Sequence, residues 1–89
     1  MGLQEEFEEY CVKAKTLPLS TPNYDENKLI LYGLFKQATV GPVNTSCPGT
    51  QDKAKSWDAW KAVEGKSKEE AKSDYITKVK QLLEEVSAA

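Results

Sequence analysis

Apolar residues recur at helical spacing in four segments of the chain. The first segment carries acidic residues at its start and lysines at its end, which is the arrangement that the helix dipole favours. Pro18 follows and disfavours continuation of the helix. The pattern predicts a first helix whose buried stripe consists of Leu3, Phe7, Tyr10, Cys11 and Ala14.

The second segment is apolar on nearly all sides between Leu29 and Phe35. A helix of this kind must be enclosed by neighbouring elements or by a ligand. Its predicted start has Thr21 as the N-cap and Pro22 at the first helical position, where the missing N–H costs nothing. Gly41-Pro42 ends the segment.

The third and fourth segments follow a long loop rich in Pro, Gly, Ser, Thr and Asn. Ser67 and Glu70 form an S-x-x-E capping box at the start of the fourth segment. No alternating strand pattern competes, so the chain is predicted to be an all-α four-helix bundle. The long loop permits a crossover that leaves two helices parallel. The apolar stripes are Ala54, Trp57, Trp60 and Val63 in the third segment and Ala71, Tyr75, Val79, Leu82 and Val86 in the fourth.

Length and charge narrow the class of protein. Eighty-nine residues are enough for a single domain, which we expect to span residues 1–89. The net charge of −2 and the interleaved lysines and glutamates lack the basic stripe of nucleic-acid-binding proteins. There is no signal-peptide pattern and no apolar run long enough to span a bilayer. We therefore expect a cytosolic monomer with Cys11 and Cys47 as free thiols.

The sequence offers little for catalysis or metal binding. Histidine is absent, and the two cysteines lack metal-site spacing. No nucleophile-elbow, phosphate-loop or dinucleotide-binding motif occurs. The paired carboxylates lie on helix faces that are predicted to be solvated. We therefore predict a protein that is not an enzyme, with no catalytic residue, no metal and no cofactor.

Tyr32, Phe35 and Lys36 form the most informative cluster, because they lie within one turn of each other on the second segment. One interpretation is a set of core aromatic rings with a lysine stem lying over them. The other is an anion site at the mouth of an apolar pocket, formed by the ammonium and the phenol hydroxyl. Periodicity alone favours the first. Tyr75 fits either a core or a pocket position.

The runs KLILYGLFKQATVGP and WDAWKAVEGKSKEEAKSDYITKVKQLLEE resemble the acyl-CoA-binding protein family in its small, single-domain plant form. The resemblance covers essentially the whole chain. It implies an up-down-down-up four-helix bundle that binds long-chain acyl-CoA thioesters. In that family the acyl chain lies in an interhelical groove beneath the CoA head group. Family members are carriers and buffers of acyl-CoA and not catalysts, so we expect transient exchange of the ligand with enzymes that donate or accept acyl-CoA.

The resemblance also implies site residues, position by position. Tyr32, Lys36 and Tyr75 match the group that holds the 3′-phosphate and adenine. Cys11 and Lys15 match ligand positions on the first helix, and Leu29 matches a position lining the groove. Phe35 stands where a tyrosine is usual, so the ring is kept and a hydroxyl is lost.

One departure affects the third helix. The family usually has a ligand lysine directly before the first tryptophan, whereas Ser56 is inserted there. Cys47 also replaces an arginine that the family often has. We expect Lys55 to be the phosphate partner, because its long stem can swing, with Lys53 as the substitute. An alternative for the whole chain is a helical protein-interaction module that uses the same groove.

Overall fold

The chain contains four α-helices in the computed structural model, which describes residues 2–18, 21, 23–44, 46 and 49–88. Within those residues there is no β-strand, and no helix combines the length and hydropathy needed to cross a bilayer. The helices coincide with the four predicted segments. They are α1 (Leu3–Ala14), α2 (Tyr24–Thr39), α3 (Gln51–Lys61) and α4 (Lys68–Ala88).

The contacts of α2 give the relative directions of three helices. Gly33 lies against Ala59 of α3, and one turn later Gln37 reaches the Glu64 carbonyl just beyond the end of α3. Helices α2 and α3 are therefore parallel, so the connection from the end of α2 to the start of α3 is a crossover. Gln37 also reaches Lys66 just before α4 begins, whereas Phe35 meets Tyr75 further along α4. Helices α2 and α4 are therefore antiparallel, and α1 packs against α4.

Helices α1, α2 and α4 supply the main core, and α3 is attached to α2 by its tryptophan. Trp60 is buried, and its indole Nε1 donates a hydrogen bond of 2.8 Å to the Gly41 carbonyl at the end of α2. The bond satisfies the one polar atom of a large apolar ring, as buried tryptophans require. The buried core residues are Phe7, Leu31, Leu34, Ala38, Ala71, Tyr75, Ile76, Val79 and Leu82.

Gly33 permits the close approach of α2 to α3. A β-carbon at this position would overlap the Ala59 carbonyl oxygen and would lie 2.6 Å from the Ala59 carbonyl carbon. Any other residue would force the two backbones apart, because the obstructing atoms belong to the main chain. Gly33 therefore fixes the seam between α2 and α3 at backbone contact.

The capping predictions have opposite outcomes. Thr21 is not the N-cap of α2, because the N-cap position lies two residues later. The backbone N–H and the hydroxyl of Thr21 both donate to the Pro18 carbonyl, at 3.0 and 2.6 Å. Helix α2 instead begins after Asn23, whose φ of 54° is a left-handed conformation that asparagine tolerates. The predicted position of Pro22 lies outside the described residues. The Ser67 cap is confirmed, since the Glu70 N–H donates to its hydroxyl oxygen at 3.0 Å.

Candidate functional site

A cavity of about 490 Å³ lies between α1, α2 and α4. The α2 side chains that line it form one stripe at spacings of three and four residues, from Tyr24 to Phe35. Helix α1 and its following turn form the facing wall, and α4 contributes two side chains. The lining residues are Cys11, Ala14, Lys15, Leu17, Thr21, Tyr24, Asn27, Lys28, Leu31, Tyr32, Phe35, Tyr75 and Leu82.

Aromatic rings form one side of this cavity. The buried ring of Phe7 stacks on Phe35, with a centroid separation of 6.0 Å and an interplanar angle of 23°, and meets the edge of Tyr75 at 5.1 Å. Phe35 remains 39% exposed and Tyr32 38% exposed. The Phe35 ring is thus held against buried rings, while part of its surface and part of that of Tyr32 face solvent. Such rings can stack against a flat ligand.

The cavity carries positive charge in a protein whose net charge is negative. The chain has 14 acidic and 12 basic residues, yet no Asp or Glu is among the described lining residues, which include Lys15 and Lys28. Lys36 lies just outside, with its Nζ 5.7 Å from the Tyr32 ring centroid and 5.8 Å from that of Trp60. This arrangement favours an anionic ligand, because clustered cations attract one and a carboxylate would repel it.

Tyr75 and Cys11 are both held in their neutral forms. Burial raises the pKa of the Tyr75 hydroxyl above its ordinary value, and the adjacent Cys11 and its hydrogen bond raise it further. Burial likewise raises the pKa of the Cys11 thiol, although the Tyr75 hydrogen bond and the Lys15 charge act in the opposite direction. The reactive form of a cysteine is the thiolate. Cys11 therefore lines the cavity and is not an activated nucleophile.

Five of the nine predicted ligand residues line the cavity, namely Cys11, Lys15, Tyr32, Phe35 and Tyr75. Tyr75 is both a core and a cavity residue, so the two interpretations are compatible. The other four lie elsewhere: Lys36 rests beside the Tyr32 and Trp60 rings, Leu29 is half-buried on α2, and Lys53 and Lys55 are exposed on α3.

Leu29 and Lys55 lie at the same level of the α2–α3 seam. Leu29 is one turn before Gly33, and Lys55 is one turn before Ala59, the residue that Gly33 contacts. Lys55 is rotated only about 40° from Ala59 around the helix axis, whereas Lys53 is rotated about 120°. Lys55 therefore projects closer than Lys53 to the side of α3 that faces α2.

Several cavity residues were not predicted from the sequence, and Lys28 is the most informative of them. Lys28 precedes Tyr32 by one turn, so the i, i+4 spacing that relates Tyr32 to Lys36 would have identified it. Tyr24 and Asn27 lie on the same stripe of α2. Within the described residues, no group of three or more His, Cys, Asp or Glu side chains could hold a metal ion.

Comparisons with known proteins agree on one family. The family model described as Acyl CoA binding protein matches residues 4–79. "Acyl-CoA-binding domain-containing protein 1" of Oryza sativa subsp. japonica is 76% identical over 100% of this chain and 98% of its own length. "Acyl-CoA-binding protein" of Ricinus communis is 73% identical over 100% of this chain and 99% of its own.

A solved structure shows the same fold. The crystal structure of Oryza sativa Acyl-CoA-Binding Protein 2 superposes with a TM-score of 0.90 at 70% identity, and the match covers 98% of this chain and 95% of that chain. The prediction of an all-α, four-helix fold of this family is thereby confirmed.

Proposed function

The chain belongs to the acyl-CoA-binding protein family, whose members are binding proteins and not enzymes, and from this premise we propose that it is a carrier of long-chain acyl-CoA thioesters. The observation that carries the proposal is the cavity between α1, α2 and α4, with its aromatic rings, its two lysines and its lack of lining carboxylates among the described residues. A nucleotide offers the matching chemistry, since its base stacks on rings and its phosphates bind cations.

The nucleotide end of the ligand occupies this cavity in our proposal. Adenine stacks on the exposed ring surface of Phe35, beside the buried ring of Tyr75. Tyr32 and Lys36 hold the 3′-phosphate between them. Lysine binds phosphate as a point charge, and a hydrogen bond to a charged group is worth about 1.5–3 kcal/mol.

The acyl chain leaves the nucleotide cavity between α2 and α3 on the Leu29 side of the Gly33–Ala59 contact, because the two backbones meet at that contact. Leu29 supplies apolar surface there, and Lys55 stands on the adjacent face of α3. Each buried methylene is worth roughly 0.8 kcal/mol, so a chain of about fifteen supplies on the order of 12 kcal/mol before ordering costs. The acyl chain of the ligand therefore provides most of the affinity. The CoA head group provides the selection between CoA esters and free fatty acids.

The thioester passes through this site unchanged. Cys11, the cysteine that lines the cavity, has a raised pKa and so contributes little thiolate. The chain has no histidine that could act as a general base. We further propose that the protein works in the cytosol as a monomeric single domain and passes its ligand transiently to enzymes that make or consume acyl-CoA.

We expect palmitoyl-CoA to bind far more tightly than either palmitate or CoA, because only the intact ester uses both the seam and the cationic cavity. Isothermal titration calorimetry with the three ligands tests this. Equal affinity for palmitate and palmitoyl-CoA would contradict the proposal. No binding of any acyl-CoA, together with a stable protein partner, would favour the interaction-module alternative.

Lys53 and Lys55 offer a matched pair of variants. We expect Lys55→Met to weaken palmitoyl-CoA binding about three- to fivefold, the range of an exposed ion pair, because Lys55 projects closer to α2. Lys53→Met removes the same charge two residues away and should leave the affinity nearly unchanged. The same titrations measure both effects, and a larger loss with Lys53→Met would reverse the assignment.

A further inference from the structure

Lys28 is a cation in the cavity wall. The phosphate site proposed at Tyr32 and Lys36 does not use it. It lines the cavity from α2, and Lys15 lines it from the end of α1. The Lys28 Nζ lies 5.9 Å from the Tyr24 ring centroid. In the part of the chain that the structure describes, neither lysine forms an ion pair with a carboxylate, whereas Lys13 and Lys80 on the outside of the bundle do.

Lys28 and Lys36 lie at opposite ends of one stripe. With Tyr32 between them at i+4, their α-carbons are separated by about 12 Å along the helix axis. Lys36 points to the α3 side, where its ammonium lies 5.8 Å from the Trp60 ring. Lys28 lines the cavity that α1 closes. The two cations therefore serve different parts of the ligand, and a single phosphate would leave Lys28 and Lys15 unpaired.

Acyl-CoA carries a second anionic group, the diphosphate that joins adenosine to pantetheine, a few bonds away from the 3′-phosphate. We propose that Lys28, with Lys15 facing it from α1, forms a second anion subsite that binds this diphosphate. The inference rests on the proposed function and adds a binding role for Lys28 to it. In this arrangement the adenine lies over Phe35, flanked by the 3′-phosphate at Lys36 and the diphosphate at Lys28.

Three ligands separate this role from the others. They are palmitoyl-CoA, the same ester of 3′-dephospho-CoA, and palmitoyl-pantetheine, which has no phosphate. We expect Lys28→Met to weaken the first two by about three- to fivefold and to leave the third unchanged, because only the first two contain the diphosphate. Lys72→Met on α4, outside the cavity, makes the same change in net charge and should alter none of the three affinities.

Other patterns overturn the inference. A loss seen with palmitoyl-CoA and absent with the 3′-dephospho ester would assign Lys28 to the 3′-phosphate. A loss of equal size with palmitoyl-pantetheine would mean that the stem packs on the ligand. Affinities equal to those of Lys72→Met would leave Lys28 with no role in binding. The proposed function fails separately, if the unsubstituted protein does not bind palmitoyl-CoA.

Discussion

Gln37→Glu is expected to lower the free energy of unfolding by about 3–5 kcal/mol at neutral pH, a large part of the stability of a small domain. Gln37 is 1% exposed, and its amide Nε2 donates to the carbonyls of Glu64 and Lys66 at 3.0 and 2.6 Å. These bonds attach the turn between α3 and α4 to α2. A carboxylate has no donor for either carbonyl and places a negative charge against both.

The loss should depend on pH with a definite sign. Burial beside two carbonyls favours the neutral form of the introduced carboxyl, so its pKa in the folded variant lies above the value of about 4.3 expected in the unfolded chain. The folded state then binds more protons than the unfolded state above that pH. The variant therefore loses stability relative to the unsubstituted protein as the pH rises from about 4 to 7.

Chemical denaturation at the two pH values measures this difference. Gln81→Glu is the matched control, because it makes the same chemical change at an exposed position of α4 and should stay within about 0.5 kcal/mol. If Gln37→Glu were as stable as Gln81→Glu, or if its deficit were equal at both pH values, the Gln37 amide would not hold the turn.

The positions of the helices can be predicted from the sequence more fully than the contacts between them. The spacing of Phe7, Leu31 and Leu82 within their segments is enough to place each on a buried face. The burial of Gln37 has no such signal, because a glutamine late in a helix is usually solvated, and its partners Glu64 and Lys66 are distant in sequence. The prediction of Thr21 as the cap was wrong for a similar reason, since Thr21 bonds to the Pro18 carbonyl in a turn that helical periodicity does not describe, and α2 begins only after Asn23.

The candidate site divides in the same way. The i, i+4 relation of Tyr32 and Lys36 is visible in the chain, but which of their neighbours share a cavity depends on how α1 approaches α2. That approach brings Lys15 and Lys28 to the same cavity. On α3, the inserted Ser56 meant that the sequence alone could not decide which of Lys53 and Lys55 faces the ligand. The contact of Gly33 with Ala59 supplies the reference from which their directions can be compared.

Lys36→Met should weaken palmitoyl-CoA binding by about 10- to 100-fold, which corresponds to the 1.5–3 kcal/mol of a hydrogen bond to a charged group. Methionine keeps an unbranched stem of similar length over the Tyr32 and Trp60 rings and removes the ammonium. We therefore expect the melting temperature to change little. Affinity for palmitate should not change, because palmitate has no 3′-phosphate.

Calorimetry at two salt concentrations, paired with thermal melts, tests the assignment against Lys72→Met as the charge-matched control. A lost phosphate contact also makes binding less sensitive to salt, which simple loss of packing would not do. Combining Lys36→Met with Tyr32→Phe should cost less than the sum of the separate effects, because both groups hold one phosphate. A collapsed melting temperature with unchanged affinity per folded molecule would instead make Lys36 a structural residue whose stem seals the α2–α3 seam.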